Sequence, residues 1–178
     1  MEIKIRTKST IALSLVFLLC IGLFLYFYDF PKRINVDRAA VIFTQDNPSS
    51  SVNTKVKIKG TLYRPIFQQE KFVGKVIIDS YPFTTVDSRV EIYVTQKIHG
   101  IRMGNLFYQK TTPNFLGTEQ ALIWFDNEFE NINIWPTTPW GDIKRDENVF
   151  IVTKSNYEQA TNTQKMMREK FGKNFVPK

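Results

Sequence analysis

Cysteine and histidine are almost missing from this chain: Cys20 and His99 are single occurrences in 178 residues. Cys20 lies inside an apolar run, so everything after that run is without a thiol. No disulfide braces that part, and a sortase-like or papain-like cysteine mechanism is closed to it. Small secreted domains often need a bridge, but nearly 150 residues bury an adequate core without one. A lone histidine does not make a multi-histidine zinc centre. There is no glycine run to cradle phosphates, no GxSxG elbow and no HExxH. Acid is in short supply too, with 17 Asp and Glu against 24 Lys and Arg, for a net charge of +7. No signature of catalysis, metal or cofactor remains, and the informative features are a location and a shape.

The location comes from Ile11 to Tyr28, IALSLVFLLCIGLFLYFY, which holds no charge. At about 1.5 Å per helical residue this run spans about 27 Å, close to the roughly 30 Å of a bilayer's hydrocarbon core. Lys4, Arg6 and Lys8 precede it, and Lys32 and Arg33 follow. A cleaved signal has a shorter apolar core ending in small residues. Here the run ends Phe27, Tyr28, Asp29, Phe30, Pro31, and the first small pair, Ala39–Ala40, sits behind Arg38. Cys20 follows bulky Leu19 in mid-run, which is not a lipidation context. The expectation is an uncleaved anchor over residues 11–30, a cytoplasmic tail over 1–10 and an exterior domain over 31–178. The N-terminal bases favour this orientation, and Phe24, Tyr26, Phe27, Tyr28 and Phe30 suit the outer interface.

Strand patterns fill the following domain. In Thr54–Leu62, TKVKIKGTL, Val56, Ile58 and Leu62 alternate with Lys55, Lys57 and Lys59, the pattern of a sheet with one wet face. The three lysines would protect an edge strand, and Gly60 suggests a bulge or sharp bend. Lys71–Asp79 and Arg89–Thr95 alternate similarly, and IFQQE at residues 66–70 reads as a hairpin connection. Weaker candidates are Val36–Phe43, Asn105–Lys110, Gln120–Phe125, Asn131–Trp135 and Asn148–Thr153, separated by turn-rich stretches such as DNPSSS at Asp46–Ser51 and TTPN at Thr111–Asn114. About eight short strands at this spacing predict a mainly β, antiparallel sandwich or small barrel. A C-terminal helix is expected over 155–171, with Ser155 and Glu158 as a capping box and Gly172 as its stop.

Candidate site residues are few. Asp126, Glu128 and Glu130 form the densest oxygen cluster but lack the spacing of a calcium loop. If Phe129 turns inward they are a solvated connection. Asp79, Glu91 and Glu119 are candidate paired carboxylates for a hydrolase, and Ser80 has no evident base. The segment Ile134–Asp142, IWPTTPWGD, presents Trp135 and Trp140 between prolines as candidates to stack on a sugar or a protein partner. Lys55, Lys57 and Lys59 are the candidate charged face. Residues 31–178 carry a net +6, attractive to an anionic membrane or envelope polymer. Nucleic acid is excluded by an exterior location.

The stretch Lys57–Phe83, KIKGTLYRPIFQQEKFVGKVIIDSYPF, resembles segments of uncharacterised, membrane-anchored exterior proteins of Gram-positive bacteria. The resemblance covers less than a fifth of the chain and implies a β-rich exterior module. It transfers no functional residue. Together these readings predict a membrane-tethered, non-enzymatic binding or scaffolding module at the cell envelope. A subunit of a membrane protein complex and a cell-wall hydrolase are the alternatives.

Overall fold

The computed structural model describes residues 2–85, 89–112, 115–141 and 148–177, with side chains from Thr10 onward except at 110–112 and 115–116. Lys4, Arg6 and Lys8 are described by backbone alone, and Asn114 and Asp142 lie outside the described residues. The chain opens with a helix, α1 (Glu2–Phe27). Within it Thr10–Phe27 is long and apolar enough to cross a membrane, and none of that window is buried. After four residues the chain enters a strand.

Eight strands follow: β1 (Lys32–Thr44), β2 (Asn47–Tyr63), β3 (Lys71–Ile78), β4 (Val90–Ile98), β5 (Ile101–Thr112), β6 (Phe115–Phe125), β7 (Ile132–Pro136) and β8 (Val149–Thr153). The protein is mainly antiparallel β. Each strand pairs with the next, and β8 pairs antiparallel with β1 through Ala40–Thr153 to Thr44–Val149, which closes the sheet into a barrel. β2 is hydrogen-bonded on both sides, to β1 and to β3. It is therefore not an edge strand, and its lysines have no edge to protect.

The alternation read from the sequence sorts the faces. Val56, Ile58 and Leu62 of β2 and Phe72, Val76 and Ile78 of β3 point inward and are buried. With Ile92, Leu106, Ile123, Ile134 and Ile151 they fill the barrel, so the interior is a packed core. Gly60 and Gly74 face each other across β2 and β3 with unbroken register, so Gly60 marks no bulge. A Cβ on Gly60 would lie 2.4 Å from the Val73 carbonyl oxygen, and one on Gly74 would lie 2.4 Å from that of Lys59; both would stand 2.7 Å from the Phe72 ring. The glycines give the ring and the two backbones room to meet.

Aromatic rings close both ends of the core. Where α1 joins, Phe129 stacks on Phe125 at 4.5 Å and reaches Phe72 at 5.3 Å. Phe129 adopts a positive φ of 52° to turn inward. At the far end Trp140, Tyr81, Phe83 and Tyr108 meet edge to face at 5.3–5.6 Å. The Tyr108 hydroxyl donates to the Val76 carbonyl at 2.7 Å.

The second helix, α2 (Tyr157–Phe171), lies on the outside of the barrel. Tyr157 packs on Phe43, and Ala160 joins Val41, Phe150 and Val152. Met167, Phe171 and Phe175 cover Trp124 and Ile101. The cap is one residue later than the Ser155–Glu158 box predicted. Asn156 accepts the Gln159 N–H at 2.9 Å, while Ser155 donates to the Gln159 side chain. Asparagine serves at least as well as serine at this position, so two adjacent cap formers leave the choice to packing. Gly172 ends the helix as expected, its N–H on the Arg168 carbonyl.

The turn-rich DNPSSS stretch is the other difference. The turn is confined to Gln45–Asp46 and β2 begins at Asn47. Ser50 takes over part of the ladder there: its Oγ accepts the Thr44 N–H at 2.8 Å and donates to the Asn47 carbonyl at 2.7 Å.

Candidate functional site

The lysine triplet stands on the outer wall of the barrel, as its alternation required. Register places Lys57 beside Asp37 of β1 and Ile77 of β3, and Lys59 between Asn35 and Lys75. A shallow groove of about 360 Å³ runs over this face. Lys57 Nζ bonds both Asp79 oxygens, at 2.9 and 3.1 Å. That hydrogen bond raises the Lys57 pKa and holds its charge. Four ammonium groups (Lys55, Lys57, Lys59, Lys75) against Asp37 and Asp79 leave this face a net +2.

The two candidate tryptophans, Trp135 and Trp140, take different settings. Trp140 is 0% exposed, part of the far-end ring cluster, and offers no surface for stacking. The proline-bracketed segment folds back onto β6 because Thr137 and Thr138 both donate backbone N–H groups to the Gln120 carbonyl. Thr138 Oγ1 accepts the Gln120 N–H at 2.9 Å and donates to Glu119 at 3.0 Å. This drives the indole into the barrel mouth. Trp135 is half-buried against the cores beneath α2. It does not share a surface with Trp140.

Candidate catalytic groups sit in separate settings. Asp79 pairs with Lys57, Glu91 accepts from the Tyr93 hydroxyl at 3.1 Å, and Glu119 accepts from Thr138. Ser80 donates to Thr54 Oγ1 at 2.8 Å. The acidic cluster is organised as a loop. Asp126 receives the backbone N–H groups of Glu128, Glu130 and Asn131, and Glu128 is ion-paired with Lys32. Inward Phe129 makes the acids the solvated connection foreseen for that case. Among the described residues no group of three or more His, Cys, Asp or Glu is placed to hold a metal ion. His99 lies in the β4–β5 turn with its Nδ1 2.8 Å from the Lys170 carbonyl oxygen. A carbonyl only accepts, so Nδ1 carries the proton and His99 ties this turn to α2.

The built polar centre is elsewhere, at the junction of α1 and the barrel. Arg102, 1% exposed, bonds Glu70 through Nε and the Asn127 side-chain oxygen through Nη1 at 2.6 Å. Lys97 reaches the other Glu70 oxygen at 2.6 Å. Burial pushes the Glu70 pKa up, but the hydrogen bonds and charges of Arg102 and Lys97 outweigh it and hold the carboxyl below its ordinary value. This trio fixes the base of the 64–70 connection. Its other end is tied to the helix exit, with the Arg64 N–H on the Asp29 carbonyl at 2.7 Å and Arg64 Nε on the Phe30 carbonyl at 3.3 Å. At the tip, the Phe67 ring stacks against Tyr26 at 6.2 Å. The sequence signal for this site was the pair Ile66–Phe67 inside a connection, which hairpin reasoning passed over.

Comparison with protein families, with curated proteins and with solved structures finds no match for this chain.

Proposed function

We propose that this protein is a single-span, membrane-tethered barrel that presents a binding or scaffolding surface at the exterior of a cell envelope, without catalysis. The observation that carries the reading is the junction. A helix long and apolar enough to span a bilayer, with none of its window buried, delivers the chain to β1 across four residues. A four-residue link confines the barrel to the layer next to the bilayer, which raises its effective concentration against partners there. The resemblance at Lys57–Phe83 is the ground for reading that layer as the exterior of a Gram-positive bacterium.

The charged face supports an envelope polymer over lipid as its partner. Lys59 and Lys55 lie four and eight residues up β2 from Tyr63, about 13 and 26 Å along the strand at roughly 3.3 Å per residue. Both exceed the Debye length of about 8 Å at physiological salt. The face therefore looks past the headgroups. The test is co-sedimentation of the full chain, held in lipid nanodiscs, with purified envelope polymer. Replacing Lys55, Lys57 and Lys59 together with glutamine is expected to lower retention severalfold and flatten its salt dependence. Unchanged, salt-insensitive retention overturns the role of charge.

A further inference from the structure

We propose that the connection between β2 and β3 is a second foothold on the membrane, with Ile66 and Phe67 seated in the interfacial layer of the bilayer that α1 crosses. The proposal rests on reading α1 as a membrane span. Ile66 and Phe67 are 55% and 64% exposed, adjacent, and at the tip of a seven-residue loop. Large apolar side chains in that position need a partner, and the structure indicates which one. Phe67 stacks on Tyr26, one residue before the end of the apolar window Thr10–Phe27. A ring in contact with Tyr26 shares its depth. Tyr26 belongs to an aromatic band in which Tyr26 meets Phe27 at 5.0 Å, Phe24 meets Tyr28 at 4.9 Å and Tyr28 meets Phe30 at 4.8 Å. Aromatic rings at a helix end mark the water–lipid boundary. Phe67 extends that band from the helix onto the barrel.

Charge is arranged to match. Beside the loop, between the helix exit and the barrel, a crevice of about 530 Å³ is lined by Arg64, Lys97 and Arg102, with Glu70 the one carboxylate in its wall. Arg102 is buried and neutralised by Glu70, but Arg64 and the exposed Lys97 stand directly behind the inserted apolar side chains, where headgroup phosphates lie. The tip is also held in place before it meets lipid. Glu70 is clamped by Arg102 and Lys97, Gln69 donates to the Val94 carbonyl at 3.1 Å, and Arg64 is tied to the helix exit. Little ordering is left to pay on insertion. Two contacts, helix and loop, then fix the barrel's tilt and keep the Lys55–Lys59 wall turned outward.

The experiment is depth-dependent quenching in full-length protein reconstituted in nanodiscs of mixed phosphatidylcholine and phosphatidylglycerol. In a Cys20→Ser background, the environment-sensitive fluorophore NBD is attached at Phe67→Cys or, on β2 near the opposite end of the barrel, at Ser51→Cys. A third sample carries the label on native Cys20. Shallow spin-labelled lipid is expected to cut emission at position 67 at least twofold and to leave position 51 unchanged. Emission at 67 as insensitive as at 51, with Cys20 quenched by deep spin labels, overturns the foothold and leaves the anchor standing. Cys20 insensitive as well overturns the membrane reading itself. A further sample labelled at Gln68→Cys is compared with and without Ile66→Ser and Phe67→Ser. Quenching should fall at least twofold with the serines, and equal quenching contradicts insertion. Far-UV dichroism verifies that each variant is folded.

Discussion

Replacing Glu70 with glutamine removes one charge at constant shape and probes the joint between loop and barrel. Arg102 stays 1% exposed, keeps its 2.6 Å bond to Asn127, and faces an amide oxygen in place of a carboxylate. Removing one partner of a buried ion pair costs about 3–5 kcal/mol. The Glu70 side chain is 16% exposed and Arg102 retains a neutral acceptor, which brings the expected loss to about 2 kcal/mol. Arg102→Met takes the buried charge away instead, leaving Glu70 its partner Lys97, and is expected to cost about 1 kcal/mol. The order is the informative part: the conservative Glu70→Gln should be worse than the drastic Arg102→Met, and adding Arg102→Met to Glu70→Gln should recover stability. Urea unfolding of the full chain in mild detergent, followed by far-UV dichroism, measures both. The linkage has a sign that can be checked. The folded-state Glu70 pKa lies below its ordinary 4.5, so its contribution is complete above that pH and is lost as pH falls through the lower folded value. Wild type and Glu70→Gln should therefore differ at pH 7 and converge in acid. A Glu70→Gln cost below about 0.5 kcal/mol, or one smaller than that of Arg102→Met, would refute the claim that Glu70 neutralises a buried Arg102.

Three further outcomes are expected. Trp140→Ala, which empties the far-end ring cluster, should lose about 3–5 kcal/mol, whereas Trp135→Ala, half-buried, should lose less than half of that in the same urea assay. Gly74→Ala forces a Cβ to 2.4 Å from the Lys59 backbone oxygen and 2.6 Å from the Gly60 Cα, so the far-UV dichroism of the β-structure should be lost or its unfolding free energy should fall by about 3 kcal/mol. On the charged face, Lys57→Gln alone should change retention on envelope polymer less than Lys59→Gln, because Lys57 is already paired with Asp79.

Alternation was legible because it is local. Val56–Ile58 against Lys55–Lys57–Lys59 sorts a strand into two faces wherever its neighbours are, and every candidate strand stretch falls within an observed strand apart from a single residue at some ends. Partner identity is not local. Nothing in Ala40 or Thr153 announces that β1 and β8 pair, so closure came only from the fold. Trp140 shows the same limit. Its burial depends on Thr137 and Thr138 folding back to Gln120, a contact between residues that neither periodicity nor proline placement connects. Phe129 was conditional in the sequence because its inward turn requires a positive φ that a phenylalanine does not advertise. The junction was missed for a different reason: Ile66 and Phe67 break the rule that turns are polar, and they acquire meaning only beside Tyr26.

The central claim is that the barrel stands outside a membrane crossed once by α1. Single-cysteine forms of the full chain in a Cys20→Ser background, with the new cysteine at Ser51 or at Glu2, are treated in intact cells with a membrane-impermeant maleimide. Ser51→Cys is expected to be labelled in intact cells and Glu2→Cys only after permeabilisation. Labelling of Glu2→Cys but not Ser51→Cys in intact cells, or of both only after permeabilisation, would contradict it.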